Sequence, residues 1–367
     1  MRIAILQGAF LPVPALLGGA VEKMWFSLGK EFAKRGHEVL HVSRSMEQLP
    51  DDEIIEGVHH VRIKGYATPS SGLVLKGMDL LYTLRARKLL GKDFDVVISN
   101  TFWAPILLPR SARKVCMVDV QRMPKKQMKW YRNAARLRAN SNPVATAIKS
   151  ELTANDHGMV VMIPNPLPFA PVKTIDVSAK KQVILYTGRI HPEKGLHLLV
   201  QAFRQTVQGY TLKIVGPWDV AAGGGGAGYL QSLKEMAGNT PIEFTGPVYD
   251  IAILNQHYID AAFFVYPSVA EKGETFGLSP LEAMAWGCVP VVSNLGCFQD
   301  FITHGENGLI FDHRSPDAVE QLAAQINMLQ SDKKIIGALA ANALAVRQTH
   351  STSHIAGLFL QEFNRIA

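Results

Sequence analysis

The sequence predicts an α/β protein of the doubly wound kind, built twice. Apolar, strand-like runs alternate with amphipathic helical stretches from end to end. Several runs stop at glycine-rich or polar loops that open the next helix, as a βαβ unit does. A proline cluster, Pro164, Pro166, Pro168 and Pro171, forms a stiff linker between two halves of similar make.

In the first half, residues 2–6 form a continuous apolar strand. The loop 8–19 ends in Gly18-Gly19. A helix is expected over about 21–34, with Met24, Trp25, Leu28, Phe32 and Ala33 on one face. Gly36 closes it, and 38–42 is the second strand. No G-x-G-x-x-G accompanies this opening, so a dinucleotide reading is weak. One or two strands follow over 51–64, then a basic helix over 77–91. A buried strand over 95–99 carries Asn100 at its C-terminal end, where open α/β sheets bind ligands. The strand 115–120 carries Asp119 near its end. Strands over 137–141 and 160–163 flank a helix that runs to about 154.

In the second half, the strand 182–186 runs into Thr187-Gly188-Arg189, then Lys194-Gly195 and a helix to about 206. A strand, a glycine, two cations and a helix start make a candidate anion site. After the strand 212–216, Gly223 to Gly226 read as a flexible loop, without the Lys-Ser/Thr of a P-loop. The strand 242–245 ends in Gly246-Pro247-Val248. A helix over 251–260 leads to a buried strand that ends at Pro267. The last strand is 309–311, followed by helices over 316–330, 333–348 and 353–366.

A chain of 367 residues, 47% hydrophobic and 19% charged, suits a globular protein of about two domains. Cys116, Cys288 and Cys297 have neither metal nor disulfide spacing, the pattern of reduced thiols in a cytosolic protein. The N-terminus reads as a strand, not a signal peptide, and no apolar run approaches the ~20 residues of a membrane span. A cytoplasmic location is expected, with peripheral contact at the inner face of the membrane. Charge is uneven: residues 1–170 carry 24 Lys+Arg against 14 Asp+Glu, and the remainder 14 against 17. Arg122, Lys125, Lys126, Lys129, Arg132, Arg136 and Arg138 follow one another without an acid between them. That stretch reads either as a surface for an anionic membrane or a phosphorylated acceptor, or as a solvated basic helix face. Nucleic acid fits poorly, because no recognition motif accompanies the charge.

The stretch 262–290 is the most informative. Glu274 and Glu282 stand eight positions apart at the head of a helix over about 279–286, which Gly287 and Pro290 stop. A helix N-terminus suits a phosphate, Gly277 lets the backbone approach one, and a carboxylate accepts from a ribose diol or a sugar. Ser279-Pro280-Leu281-Glu282 is equally a capping box, which accounts for Glu282 but not for Glu274, Phe276 or Gly277.

Glu274 through Gly287 resembles the E-x7-E signature of the retaining glycosyltransferases of family 4, on the GT-B fold. Tyr186-Thr187-Gly188-Arg189 through Lys194-Gly195, Phe244 through Val248, and His304 through Leu309 resemble the same family in the same order. The resemblance is close over about 183–311 and loose over the first half. It implies two Rossmann-like domains facing across a cleft, with a last helix crossing back. Residues 1–166 with 350–367 would form the acceptor-side domain, and 167–349 the donor domain.

By match, Arg189 and Lys194 would hold the diphosphate after Gly188 and stabilise the leaving group, the task a metal performs elsewhere. Glu282 would bind the ribose. Glu274 would face the donor sugar and is the carboxylate to test for catalysis. Phe276, Gly277 and Leu278 would offer backbone N–H groups, and Val248 would meet the base. Gly18 and Gly19 would border the phosphates from the other domain. Asn100 and Asp119 are acceptor-side or sugar-side candidates, and Asn100 stands where many relatives carry a histidine. The implied activity is retaining and independent of metal and cofactor. It moves a hexose from a nucleotide-diphosphate sugar, UDP-glucose for example, to a glycan or lipid-linked acceptor in polysaccharide or glycoconjugate synthesis. Another GT-B enzyme, inverting or an epimerase, and a non-catalytic sugar-nucleotide binder are the alternatives.

Overall fold

The computed structural model describes every residue except 91–92, 171–173 and 207–208. Gly91, the expected end of a helix, and Pro171 of the proline cluster thus lie outside the described residues. The chain divides into two compact units, Met1–Phe169 with His350–Ala367, and Ala170–Thr349.

Among the described residues, unit one holds eight strands: β1 (Arg2–Leu6), β2 (Glu38–Arg44), β3 (Asp52–Ile55), β4 (Val58–Ile63), β5 (Val96–Ser99), β6 (Cys116–Val120), β7 (Arg136–Ala139) and β8 (Val160–Met162). Their order is β3-β4-β2-β1-β5-β6-β7-β8, and only β3 runs antiparallel to its neighbour. β1 is apolar throughout because both its faces are covered. Ile3 and Ile5 pack with Met24, Trp25, Leu28 and Phe32 of helix α1 (Ala20–Lys34), while Ala4 and Leu6 join the core on the opposite face. Ile5 pairs with His41 of β2 and with Ile98 of β5. The C-terminal helix Thr352–Ile366 belongs to this unit. It sets Phe359 5.1 Å from the Trp25 ring and Phe363 5.5 Å from Phe32. Burying each phenylalanine is worth about 2–3 kcal/mol.

Among the described residues, unit two holds six parallel strands: β9 (Lys181–Thr187), β10 (Thr211–Val215), β11 (Ile242–Gly246), β12 (Ala261–Tyr266), β13 (Val289–Ser293) and β14 (Leu309–Phe311). Their order is β11-β10-β9-β12-β13-β14. The strand order reverses between β1 and β5 in the first sheet, apart from the β3–β4 hairpin at its edge, and between β9 and β12 in the second. At such switch points the loops leave in opposite directions and open a crevice at the carboxyl ends.

Four local expectations are corrected. The helix expected at 77–91 is α2 (Gly72–Ala86) and starts five residues earlier. The basic stretch 121–138 is no helix: it holds a short 3-10 turn, Met128–Trp130, then β7, and Arg138 is fully buried. The glycines at 223–226, expected as a flexible loop, are bound in turns and lead into a helix, Gly226–Ala237. The stretch 333–348, expected as one helix, is two, Lys333–Ala343 and Val346–Thr349.

Candidate functional site

The switch point of the second sheet gathers most of the motif residues. β9 ends at Thr187, and the chain passes through Gly188 and Arg189 into a short turn, Pro192–Lys194. Gly195 follows in the left-handed region at φ 66° and caps the helix Leu196–Arg204. A Cβ there would lie 2.0 Å from the Pro267 carbonyl oxygen, so only glycine lets this loop cross the loop after β12. The crossing is sealed by Val269 N–H donating to the Glu193 carbonyl at 2.9 Å.

That crossing brings two distant motif residues together. Lys194 Nζ donates to Glu274 Oε2 at 2.7 Å, with the two side chains 9% and 11% exposed. Tyr266, the last residue of β12, lies beneath them, its ring centre 5.4 Å from Nζ. Burial, and then the Glu274 charge, raise the Tyr266 phenol well above its ordinary pKa, so it stays a neutral donor beside the carboxylate. A lysine carries three donors, so the pair with Glu274 is compatible with an anion on the same ammonium. Arg189 is 44% exposed. It donates to the Gly223 carbonyl at 2.6 Å and to Glu193 Oε1 at 2.8 Å, which aims its guanidinium from the rim of the loop.

The helix over 279–286 is observed as Leu278–Ala285, and its cap is Gly277 in the left-handed region at φ 90°. A Cβ on Gly277 would meet the Phe298 ring at 2.4 Å. With Gly277 at the cap, Ser279 lies inside the helix and no side chain caps it, so the Ser279 capping box is not formed. Glu282 instead accepts from the Tyr258 hydroxyl at 3.1 Å, and that hydroxyl lies 2.6 Å from Thr187 Oγ1, one residue before Gly188. Phe276 is buried with its ring 5.5 Å from Phe301, and Leu278 is half-buried in the first turn. Val248 follows β11 at the sheet edge, two strands from β9.

The remaining candidates lie in unit one. Gly18 and Gly19 precede α1 with φ 81° and 105°, and the Glu22 carboxylate folds over Gly19. Asn100 follows β5 at the first switch point and donates to Gln7 Oε1 at 2.9 Å. Asp119, expected on the acceptor side, is a buried scaffold carboxylate: Arg138, Trp25 and Gln121 all donate to it, and its side chain is fully shielded.

Sequence reasoning missed Glu193, Gly223 and Tyr258. Glu193 had a signal, since it stands next to Lys194 in the same motif. Tyr258 had none, because its hydroxyl reaches Glu282 only through the packing of the helix Ile251–Asp260.

Fold and site define a class: a twice-built parallel α/β protein with a cation–carboxylate cluster at the switch point of its second sheet. Residues 181–332 match the family model of the glycosyl transferases group 1. An uncharacterized glycosyltransferase of Methanocaldococcus jannaschii is 32% identical over 148 residues, 40% of this chain and 36% of that one. HepE of Anabaena, solved in complex with UDP and glucose, has a TM-score of 0.70 at 19% identity over 99% of both chains. Sucrose-phosphate synthase of Thermosynechococcus elongatus has a TM-score of 0.78 at 20% identity, over 100% of this chain and 99% of that one. The chain spans less than half the length of the first curated relatives it matches. The fold is that of the GT-B glycosyltransferases. Over residues 181–332 the chain is similar to the glycosyl transferases group 1.

Proposed function

We propose that the chain is a retaining glycosyltransferase that moves a hexose from a nucleotide-diphosphate sugar to a glycan or lipid-linked acceptor. The observation that carries this reading is the 2.7 Å contact between Lys194 and Glu274 at the switch point of the second sheet. An ammonium and a carboxylate side by side, at the head of a helix, suit a donor that presents a phosphate and a sugar hydroxyl together. Arg189, set at the rim by Glu193 and Gly223, adds a second cation. When the glycosidic bond to the diphosphate breaks, negative charge grows on the leaving phosphate, and preorganised cations favour that state over the ground state.

In this reading Lys194 and Arg189 do the electrostatic work without a metal. Glu274 orients the sugar and is the carboxylate to test as a nucleophile. Glu282, held by Tyr258, takes the ribose hydroxyls. A uridine donor is favoured because HepE was solved with UDP. The acceptor proton would pass to the departing phosphate on the same face as attack, which retains the anomeric configuration.

Calorimetric titration with UDP and GDP, with and without magnesium, tests the donor site. We expect micromolar binding of UDP without metal. In Lys194→Ala the diphosphate should weaken about ten- to a hundredfold, while uridine itself is little changed. Equal losses for nucleoside and diphosphate would remove the phosphate contact. No binding of either nucleotide would overturn the donor site.

A further inference from the structure

The loop from Pro267 to Gly277 joins β12 to the helix Leu278–Ala285 and carries Glu274. Both its ends are fixed. At the start, Val269 N–H donates to the Glu193 carbonyl, and Ser293 Oγ donates to the Ser268 carbonyl. At the end, Gly277 sits against the Phe298 ring. Between them lies the turn Glu271-Lys272-Gly273. In it the Ala270 carbonyl accepts from Gly273 N–H at 3.1 Å and from Glu274 N–H at 2.9 Å. The backbone of Glu274 is therefore placed by this turn.

The turn is clamped from its outer side. Arg314, three residues beyond β14, reaches both Glu271 carboxylate oxygens, through Nε at 2.7 Å and Nη2 at 2.8 Å. His313 Nε2 lies 3.0 Å from Glu271 Oε1, and its side chain is only 3% exposed. Arg314 Nη1 donates to the Asn294 carbonyl at 2.9 Å, one residue beyond β13. One guanidinium thus stitches together the loops that follow β12, β13 and β14. Its hydrogen bonds hold the Glu271 carboxyl below its ordinary pKa, so the pair stays charged.

A two-pronged arginine–carboxylate pair at a half-exposed position adds little to global stability, but it fixes geometry. Geometry is what Glu274 needs. In the unloaded chain the Lys194 ammonium holds its carboxylate at 2.7 Å. A phosphate arriving at Lys194 shares that ammonium and weakens its hold on Glu274. The carboxylate then keeps its place through the turn that carries it. We propose that Glu271 and Arg314 are positioning residues, which clamp this turn and hold Glu274 toward the donor sugar, a role that rests on the transferase reading.

The test compares the parent with Glu271→Gln, Arg314→Gln and the double variant, by two readouts. The first is hydrogen exchange: the amides of Gly273 and Glu274 should exchange about tenfold faster in each variant, and those of β9 at the parent rate. The second is release of nucleoside diphosphate from UDP-glucose or GDP-mannose in water, with whichever donor the parent turns over. There kcat should fall about tenfold, with KM and nucleotide affinity within about twofold of the parent, because Lys194 and Arg189 are untouched. The double variant should lose no more than the worse single one, since all three break the same contact. Arg314→Lys keeps the charge without the fork and should recover only part of kcat. A merely structural role would instead lower the melting temperature and nucleotide affinity together with kcat. Parent-like kcat in Glu271→Gln, independent losses in the double variant, or faster exchange without loss of kcat overturns the clamp and leaves the transferase reading standing. A parent that turns over neither donor ends that reading, and the clamp's role with it.

Discussion

In unit one Arg138 lies 2.8 Å from Asp119, and in unit two Lys194 lies 2.7 Å from Glu274. Distance and chemistry are nearly the same, and both carboxylates follow from elements at the carboxyl ends of parallel strands. Their surroundings differ. The Arg138–Asp119 pair is fully shielded, and its other bonds go to Trp25, Gln121 and Asn165. The Arg138 guanidinium also lies 5.3 Å over the Phe359 ring, which ties the C-terminal helix to the sheet. The Lys194–Glu274 pair keeps an edge open to solvent and has an exposed arginine in the same loop. An ion pair closed on all sides can only hold the fold. One left partly open can exchange a partner for a ligand.

Four substitutions sharpen that contrast. The largest effect is expected from Glu274→Gln, which keeps the shape and removes the charge: transfer should fall by at least about 10² to 10³-fold with UDP binding largely intact. Activity near the parent level in a donor assay would end the catalytic role of Glu274. Arg138→Ala should do the reverse. It strands the buried Asp119 charge and should cost about 3–5 kcal/mol of unit-one stability, while unit two still titrates UDP. A melting curve like the parent's would show that the closed pair is not structural.

Asp79 is the third case, a buried carboxylate with backbone donors and no cation. Burial pushes its pKa to about 6, against the pull of the Phe102 and Trp103 amides. A raised carboxyl pKa gives stability that is fully present below about pH 4 and is lost as pH rises through about 6. Asp79→Asn keeps an acceptor and removes the titration. Denaturant unfolding should then lack the decline between about pH 4 and 6, and at pH 7 the variant should gain on the order of 2–3 kcal/mol. Parallel pH profiles for variant and parent would refute this. The smallest effect belongs to Tyr258→Phe, which frees Glu282 from its hydroxyl donor. UDP affinity should fall by about three- to tenfold, with little shift in melting temperature. An unchanged affinity would mean that Tyr258 does not position Glu282.

Much of this was legible beforehand. The strands stood out because parallel strands covered on both faces are apolar throughout, as in β1, β5 and β12. Glycine marked the crossings, since Gly195 and Gly277 occupy conformations that other residues resist. The errors fell where local pattern and tertiary context part. The basic stretch 121–138 carries no sign that Arg138 turns inward to meet Asp119. The Ser279 box satisfies every local rule for a cap, yet the helix starts earlier because Gly277 sits against the Phe298 ring.

Two α/β halves, most of their strands, and the residue types that could handle a phosphate and a sugar can be read from the chain alone. Those follow from burial patterns and backbone preferences, which act over a few neighbours. Which charges meet was decided only by the tertiary structure. Lys194 and Glu274 are 80 positions apart, and they pair because β9 and β12 lie side by side and Gly195 lets one loop cross the other. Asp119 and Asn100 looked alike as strand-end polar residues. Packing buried one beneath α1 and left the other partly open beside Gln7. Partner and depth are properties of the assembled sheet, and no local run of residues encodes them.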